Sequence, residues 1–139
     1  MHLEGIVLEH HLQTLVEELH LTETPVQDET GGYQLKLTPD LHITLKALNP
    51  GISFYTSLTP FHPTKREELV IHLAKANFLG QGTGGGSIGL DEDEKLLTLS
   101  FVLPYDRNYT SFKETLEDFA NYADYWRAEL ARIKHVAEG

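Results

Sequence analysis

Hydrophobic and polar positions along the chain follow two different periods, and each period predicts a different element. Near the N-terminus, apolar residues recur every three or four positions, which is the spacing of an amphipathic helix with one buried face. These positions are Leu8, Leu12, Leu15, Val16 and Leu19. The pattern predicts a first helix over residues 3–20.

Three segments after this helix alternate apolar and polar residues with a period of two. They are residues 33–37, 41–48 and 52–58, and turn residues separate them at 38–40 and 49–51. Alternation bounded by Pro, Asp, Asn and Gly is typical of an antiparallel meander with one buried face. We therefore expect three consecutive antiparallel strands.

The helical period returns over residues 63–80. Thr64 and Glu67 form a candidate capping box at its start, and Gly80 is a typical helix stop. The apolar face of this segment is wider than a lone surface helix needs, which indicates that a partner shares it. The pattern predicts a second helix that takes part in an interface.

The last third of the chain contains two more strand patterns and the longest helical pattern. The strands are predicted at residues 87–90 and 95–103, and a second candidate capping box follows at Ser111 and Glu114. Apolar residues then recur at steps of three and four, at Phe112, Leu116, Phe119, Ala123, Trp126 and Leu130. The predicted fold class is α+β, in the order α-β-β-β-α-β-β-α, with an antiparallel twisted sheet packed with helices in a single domain over residues 1–139.

Composition excludes several classes of function. The chain has no cysteine, which excludes disulfides and thiolate chemistry, and 21 acidic against 11 basic residues give a net charge of −10. Such a surface repels phosphate backbones on average, so nucleic acid is not expected as a partner. No segment approaches the roughly 18 apolar residues of a membrane span, and the N-terminus lacks the pattern of a signal peptide. We expect a soluble, unexported protein with no membrane partner.

Residues 80–86, GQGTGGG, fit the pattern G-x-G-x-x-G at Gly80, Gly82 and Gly85. A dinucleotide loop follows a strand and precedes a helix, so that the helix N-terminus faces the pyrophosphate. Here the predicted helix comes first and the strand second, so the loop lies at a helix C-terminus, whose dipole repels phosphate. A structural role is favoured, with positive φ angles or close backbone approach at the later glycines. A nucleotide-binding enzyme that uses this loop is the less favoured alternative.

Other candidates for chemistry lack the required patterns. The eight histidines form no HExxH motif and no compact ligand set, so we expect scattered, solvated histidines and no metal. The acidic run 91–94 lacks the pattern of an EF-hand loop for calcium. Ser87 is not part of a G-x-S-x-G nucleophile elbow. Trp126 lies in a regular helical stripe and is predicted to pack in the core. We predict no catalytic residue and no cofactor, and we expect a protein that binds other chains instead of an enzyme.

Two stretches resemble the class I type III secretion chaperones, the Tir chaperone (CesT) family. Residues 74–90, AKANFLGQGTGGGSIGL, are similar to the family's helix end and following strand, and residues 97–130 are similar to its strand, short link and final helix. The resemblance implies a homodimer in the bacterial cytoplasm that uses no ATP itself. Each family member binds the N-terminal segment of secreted effectors, keeps it extended, soluble and secretion-competent, and helps to deliver it to the secretion machinery, such as the secretion ATPase.

The resemblance also implies two surfaces. In the family, the second helix and the strands after it form most of the dimer interface, which corresponds here to Leu73, Ala76, Asn77, Phe78, Ile88 and Leu90. Effectors lie in grooves of the first helix and first three strands, partly as an added strand, which corresponds to Leu8, Leu12, Leu15, Tyr33, Leu35, Ile43 and Phe54. Each of these effector positions is also a candidate for the core. A regulatory or adaptor domain that binds folded proteins on the same fold is the main alternative.

Overall fold

A computed structural model describes residues 4–48, 50–60, 71, 74–75, 85–91, 96–105 and 108–138. Its elements are α1 (Glu4–Leu19), β1 (Gly32–Thr38), β2 (Leu41–Ala47), β3 (Ile52–Pro60), β4 (Ser87–Leu90), β5 (Leu96–Leu103) and a C-terminal helix (Tyr109–Glu138). The strands form one sheet in the order β1-β2-β3-β5-β4. The α+β fold class and the five strands are confirmed. The predicted second helix lies mostly outside the described residues, although Ile71, Ala74 and Lys75 are helical.

The chain groups into two compact units. One comprises Met1–Thr56 with Val102–Glu117, and the other comprises Ser57–Phe101 with Asp118–Gly139. Each unit has its own set of buried side chains. The single domain over residues 1–139 stays a prediction.

In the first unit, the period of two along the strands produces one buried face. Leu41, Ile43 and Leu45 of β2 are all at most 2% exposed, and the antiparallel register places Tyr33 opposite Leu45 and Leu35 opposite Ile43. Side chains in register share a face of the sheet, so these residues form continuous apolar rows. The apolar stripe of α1 is also buried, at Leu8, Leu12 and Leu15, whereas Leu19 at the helix end is exposed.

In the second unit, the later part of the C-terminal helix supplies much of the buried surface. The predicted stripe is confirmed, because Phe119, Ala123, Trp126 and Leu130 are all buried. The Arg127 guanidinium, beside Trp126 in the chain, donates a hydrogen bond to the carbonyl oxygen of Ser57 at 3.0 Å. Because its side chain is buried, Trp126 is a packing residue, as the sequence predicted.

His11 corrects one expectation from the sequence. Its side chain is only 6% exposed, and its ring stacks on Phe112 with a centroid separation of 5.1 Å and an interplanar angle of 20°. The prediction that the histidines are solvated was wrong at this position. His11 lies three residues after Leu8 and four before Leu15, so it shares the buried stripe of α1.

The start of the C-terminal helix also differs from the prediction. The helix begins at Tyr109, and the backbone N–H of Ser111 donates to Oδ1 of Asn108 at 2.9 Å. That bond satisfies one of the free N–H groups of the first turn, which makes Asn108 the N-cap. The predicted capping box at Ser111 and Glu114 was wrong, because Ser111 already lies inside the helix.

Replacing Asn108 by alanine is expected to lower the free energy of unfolding by about 1 kcal/mol, since the cap bond is lost. Urea denaturation followed by circular dichroism measures the change. Ser111→Ala is the matched control and should cost clearly less. A larger loss for Ser111→Ala than for Asn108→Ala would restore the capping box that the sequence indicated.

Gly51 and Gly85 are two of the three described glycines that take left-handed backbone conformations. Gly85 has φ +93°, with the nearest Phe101 atom 3.4 Å from the position of an added Cβ, and Gly51 has φ +109°. The expected structural role of the glycine-rich segment is confirmed at Gly85, whereas Gly80 and Gly82 lie outside the described residues. Gly51 forms the turn between β2 and β3.

Candidate binding site at the edge of the sheet

β1 is the end strand of the sheet, and only its first half is covered. The N–H of Asp28 donates to the carbonyl of Gly32 at 2.8 Å, and Gln27 forms an isolated antiparallel bridge with Tyr33. Successive residues of a strand direct their backbone groups to opposite edges, so Lys36 directs its groups to the same edge as Gly32. Among the described residues, none pairs with this edge at Lys36. The second half of β1 therefore presents open backbone groups, as edge strands do.

A groove with a volume of about 260 Å³ lies beside this open half. Its lining residues are Leu21, Thr22, Glu23, Thr24, Pro25, Val26, Gln34 and Lys36. Val26 is 77% exposed, so the groove offers apolar surface to solvent next to the charges of Glu23 and Lys36. The volume is below the roughly 300–1,000 Å³ of small-molecule pockets. An open strand edge beside a small groove suits an extended polypeptide better than a cofactor.

Asp28 fixes the loop that forms one wall of this groove. Its Oδ1 accepts hydrogen bonds from the N–H of Thr30 at 2.8 Å, from the Thr30 hydroxyl at 2.6 Å and from the N–H of Gly32 at 3.1 Å. Its Oδ2 accepts from the Gln34 side-chain amide at 3.1 Å. These donors, the Thr30 hydroxyl and then Gln34 foremost, lower the pKa of Asp28 to about 2. The carboxylate thus ties the loop to the first half of β1.

Replacing Asp28 by asparagine is expected to destabilise the protein at neutral pH. A carboxyl whose pKa is depressed on folding stabilises the fold above its ordinary pKa of 3.8, and this contribution is lost as the pH falls toward about 2. Urea denaturation at a series of pH values should therefore show a difference between wild type and Asp28→Asn that shrinks between these two pH values. A difference that stays constant across this range would contradict the role given to the charge.

The seven predicted effector-binding residues all lie in the core of the first unit. None is more than 6% exposed: Leu8, Leu12, Leu15, Tyr33, Leu35, Ile43 and Phe54. Tyr33 and Leu35 flank Gln34 on β1, so they hold the strand that lines the groove. Direct contact of these side chains with an effector stays a prediction.

The predicted dimer-interface residues are only partly described. Leu73, Ala76, Asn77 and Phe78 lie outside the described residues. Ile88 and Leu90 lie on β4, where Ile88 is 5% exposed and Leu90 is 41% exposed. Leu90 offers apolar surface, and the dimer interface stays a prediction.

Sequence patterns missed the groove itself. The segment 21–26 has no helical or strand period, and its apolar residues Leu21, Pro25 and Val26 are interspersed with threonines and a glutamate. The apolar residues of this polar loop could have indicated the groove from the sequence, but single apolar residues are common on protein surfaces.

The described part of the chain was compared with the requirements of a metal site and of a membrane-spanning helix. Its residues contain no group of three or more His, Asp or Glu side chains placed to hold a metal ion. None of the helices in that part combines the length and the apolar character needed to cross a membrane.

The family model of the Tir chaperone protein (CesT) family matches residues 10–127. The chain belongs to this family. The family membership confirms the sequence-based identification of a type III secretion chaperone that binds effectors.

One relative and two solved structures are similar to this chain over most of its length. A Chlamydia pneumoniae protein is 23% identical over 126 residues, which cover 89% of this chain and 96% of the relative. A chain of the HopA1–SchA chaperone–effector complex superposes with a TM-score of 0.69 at 15% identity, covering 92% of this chain and 98% of its own. A chain of the ExsC–ExsE complex gives a TM-score of 0.72 at 18% identity, covering 92% and 96%. At these identities the two structures confirm the fold.

Proposed function

We propose that this CesT family member binds the N-terminal segment of one or more effectors and keeps it extended, soluble and competent for secretion. It acts in the bacterial cytoplasm, by binding and without catalysis. An extended segment that is held on a surface does not fold, and its aggregation-prone side chains stay covered.

The open half of β1 beside the groove is the observation that carries the proposal. A polypeptide added antiparallel to β1 would bond to the backbone of Lys36, and its alternate side chains would reach the groove wall at Val26. Backbone bonds do not depend on sequence, whereas the groove selects side chains. Such a site accepts segments of different sequence, which suits a chaperone with one or a few effectors.

The seven predicted effector-binding residues contribute to the proposed site indirectly, as its buried support. Their burial holds α1, β1, β2 and β3 in place, and the exposed residues above them make the direct contacts. Aspartate at a position such as Leu12, which is 1% exposed, would disrupt the core and would not report on effector binding alone. Substitutions that test binding therefore belong on exposed residues.

We further propose a homodimer, with the interface at Leu73, Ala76, Asn77, Phe78, Ile88 and Leu90. The exposed Leu90 on β4 supports it, and so does the wide apolar face of the predicted second helix. The chaperone then hands its effector to the secretion ATPase or other sorting machinery. Phe78→Asp should convert the dimer to monomers in light scattering. A wild-type protein that scatters as a single chain would contradict the dimer.

Co-expression with candidate effector N-termini, followed by limited proteolysis, tests the function. The expected result is one effector segment of tens of residues that copurifies and resists the protease. Val26→Asp should weaken this complex about tenfold, since an exposed apolar contact becomes a charge. Val102→Asp is the matched control, because Val102 is also an exposed valine at 52%.

Equal effects of the two valine substitutions would contradict the position of the site. Copurification of folded proteins, with no protected extended segment, would favour the adaptor alternative over the chaperone.

A further inference from the structure

The outward face of β1, β2 and β3 differs in charge from the rest of the chain. We call it the outer face, and its residues are Gln34, Lys36, His42, Thr44, Lys46, Ser53 and Tyr55. These three strands contain no aspartate or glutamate, although the whole chain has 21 acidic residues against 11 lysines and arginines. The outer face is therefore locally basic on an acidic protein.

The strand register gathers the basic side chains of the outer face. Lys36 lies directly opposite His42, and Lys46 lies opposite both Gly32 and Ser53. Residues opposite one another on neighbouring strands lie on the same face of the sheet. All three basic side chains are exposed. They lie within three adjacent strands, and Lys36 also lines the groove.

The basic side chains of the outer face have no ion-pair partner in the described part of the chain. By contrast, Lys113 is paired with Glu18, and Arg132 with Glu129. Asp28 is already engaged, because it accepts bonds from Thr30, Gly32 and Gln34, and Glu23 lines the groove together with Lys36.

We propose that the outer face and its groove take an acidic segment of a partner chain, with aspartate or glutamate at alternate positions. This inference rests on the proposed function, since the partner is the extended effector segment that adds to β1. Every second side chain of that segment points to the same side of the sheet as Lys36. Carboxylates there meet Lys36, while Lys46, opposite the covered Gly32, adds to the positive charge of the face, and the intervening side chains remain free to be apolar. The outer face thus selects effectors by charge pattern.

The expected effect is moderate, because the pairs are exposed. The Lys36 pair and the added charge of Lys46 together should strengthen binding about three- to tenfold at low ionic strength. Because mobile ions screen exposed charges, the preference should largely disappear at about 1 M salt, where the Debye length is about 3 Å.

Titration of the ¹⁵N-labelled full-length protein with three synthetic nine-residue peptides tests the inference. Valine alternates with glutamate in the first, with glutamine in the second and with lysine in the third. The glutamate peptide should bind three- to tenfold tighter than the glutamine peptide and should shift the amide signals of Lys36 and Thr44. The lysine peptide should bind most weakly. In the Lys36→Glu/Lys46→Glu variant the order of the three peptide affinities should reverse. The control variant Arg132→Glu, which changes an exposed charge on the C-terminal helix, should leave this order unchanged.

Equal binding of the three peptides, an unchanged order in the double variant, or no shift at Lys36 would each overturn the inference. Self-association of the free protein that the double variant abolishes would also overturn it, since a second copy would then occupy the outer face. The proposed chaperone function and the charge preference of the outer face can be contradicted independently of each other. An effector segment that still copurifies and resists protease, equally well with wild type and with Lys36→Glu/Lys46→Glu, removes the charge preference and leaves the chaperone function standing.

Discussion

Replacing Phe112 by alanine is expected to lower the free energy of unfolding by about 3–5 kcal/mol. The Phe112 side chain is fully buried at 0% exposure. Its ring lies 5.1 Å from that of His11, 6.1 Å from that of Phe54 and 6.5 Å from that of Tyr109, measured between centroids. Alanine would leave a cavity bounded by these three rings. Since domains of this size are stable by only about 5–15 kcal/mol, the loss is a large share of the total.

Urea denaturation followed by circular dichroism measures this loss, with Phe112→Leu as the control that keeps most of the volume and should cost markedly less. A decrease below about 1 kcal/mol for Phe112→Ala would contradict the packing described for the first unit. Phe112 helps to hold the unit that carries the candidate binding edge. Its alanine variant should therefore also bind effector less well at temperatures where it begins to unfold.

Replacing Gly51 by alanine is expected to cost about 3 kcal/mol or more, from backbone strain and overpacking together. Gly51 has φ +109°, and an added Cβ would lie 2.3 Å from the carbonyl oxygen of Leu103 and 3.0 Å from the carbonyl carbon of Pro104. Both contacts are with backbone, so no side-chain rotation relieves them. Thermal unfolding and urea denaturation both measure the effect.

Gly89→Ala is the matched control for Gly51→Ala. A Cβ added at Gly89 meets nothing within 4 Å. The substitution should therefore change stability by less than about 1 kcal/mol. Similar losses at the two glycines would show that the close approach at Gly51 is not what makes glycine necessary there.

The strands were largely predictable, because two independent signals agree at their ends. Apolar alternation marks β2 at Leu41–Ala47, and Gly51 and its neighbours mark the turn that follows. Residues 87–90 were also predicted with the observed bounds of β4. Where side-chain period and turn chemistry coincide, the local sequence decides the element.

Helix details were less predictable, since more than one local pattern fits the same segment. Asn108 and Ser111 both begin acceptable helix starts, and the helix takes the earlier one, so that Asn108 Oδ1 accepts the Ser111 N–H. His11 is polar by residue type but lies on the apolar side of α1, against Phe112. Contacts between distant segments decide these cases, and a single segment does not contain them.

The candidate site was the least predictable feature. Its groove forms where the non-periodic segment 21–26 meets Gln34 and Lys36 of β1. The charge of the outer face likewise depends on register, because Lys36, His42 and Lys46 belong to two strands. The resemblance to a chaperone family implied a site on the first helix and first three strands, and the residues it implied there are buried.

Amide hydrogen exchange at Lys36, with and without a bound effector segment, tests the central claim most directly. In the free protein this amide faces the open edge and should exchange readily. If an effector adds to β1 as a strand, its exchange should slow by at least about tenfold in the complex, because the amide gains a backbone hydrogen bond. A complex in which the effector segment is protected from protease but Lys36 exchanges as fast as in the free protein would contradict strand addition at this edge.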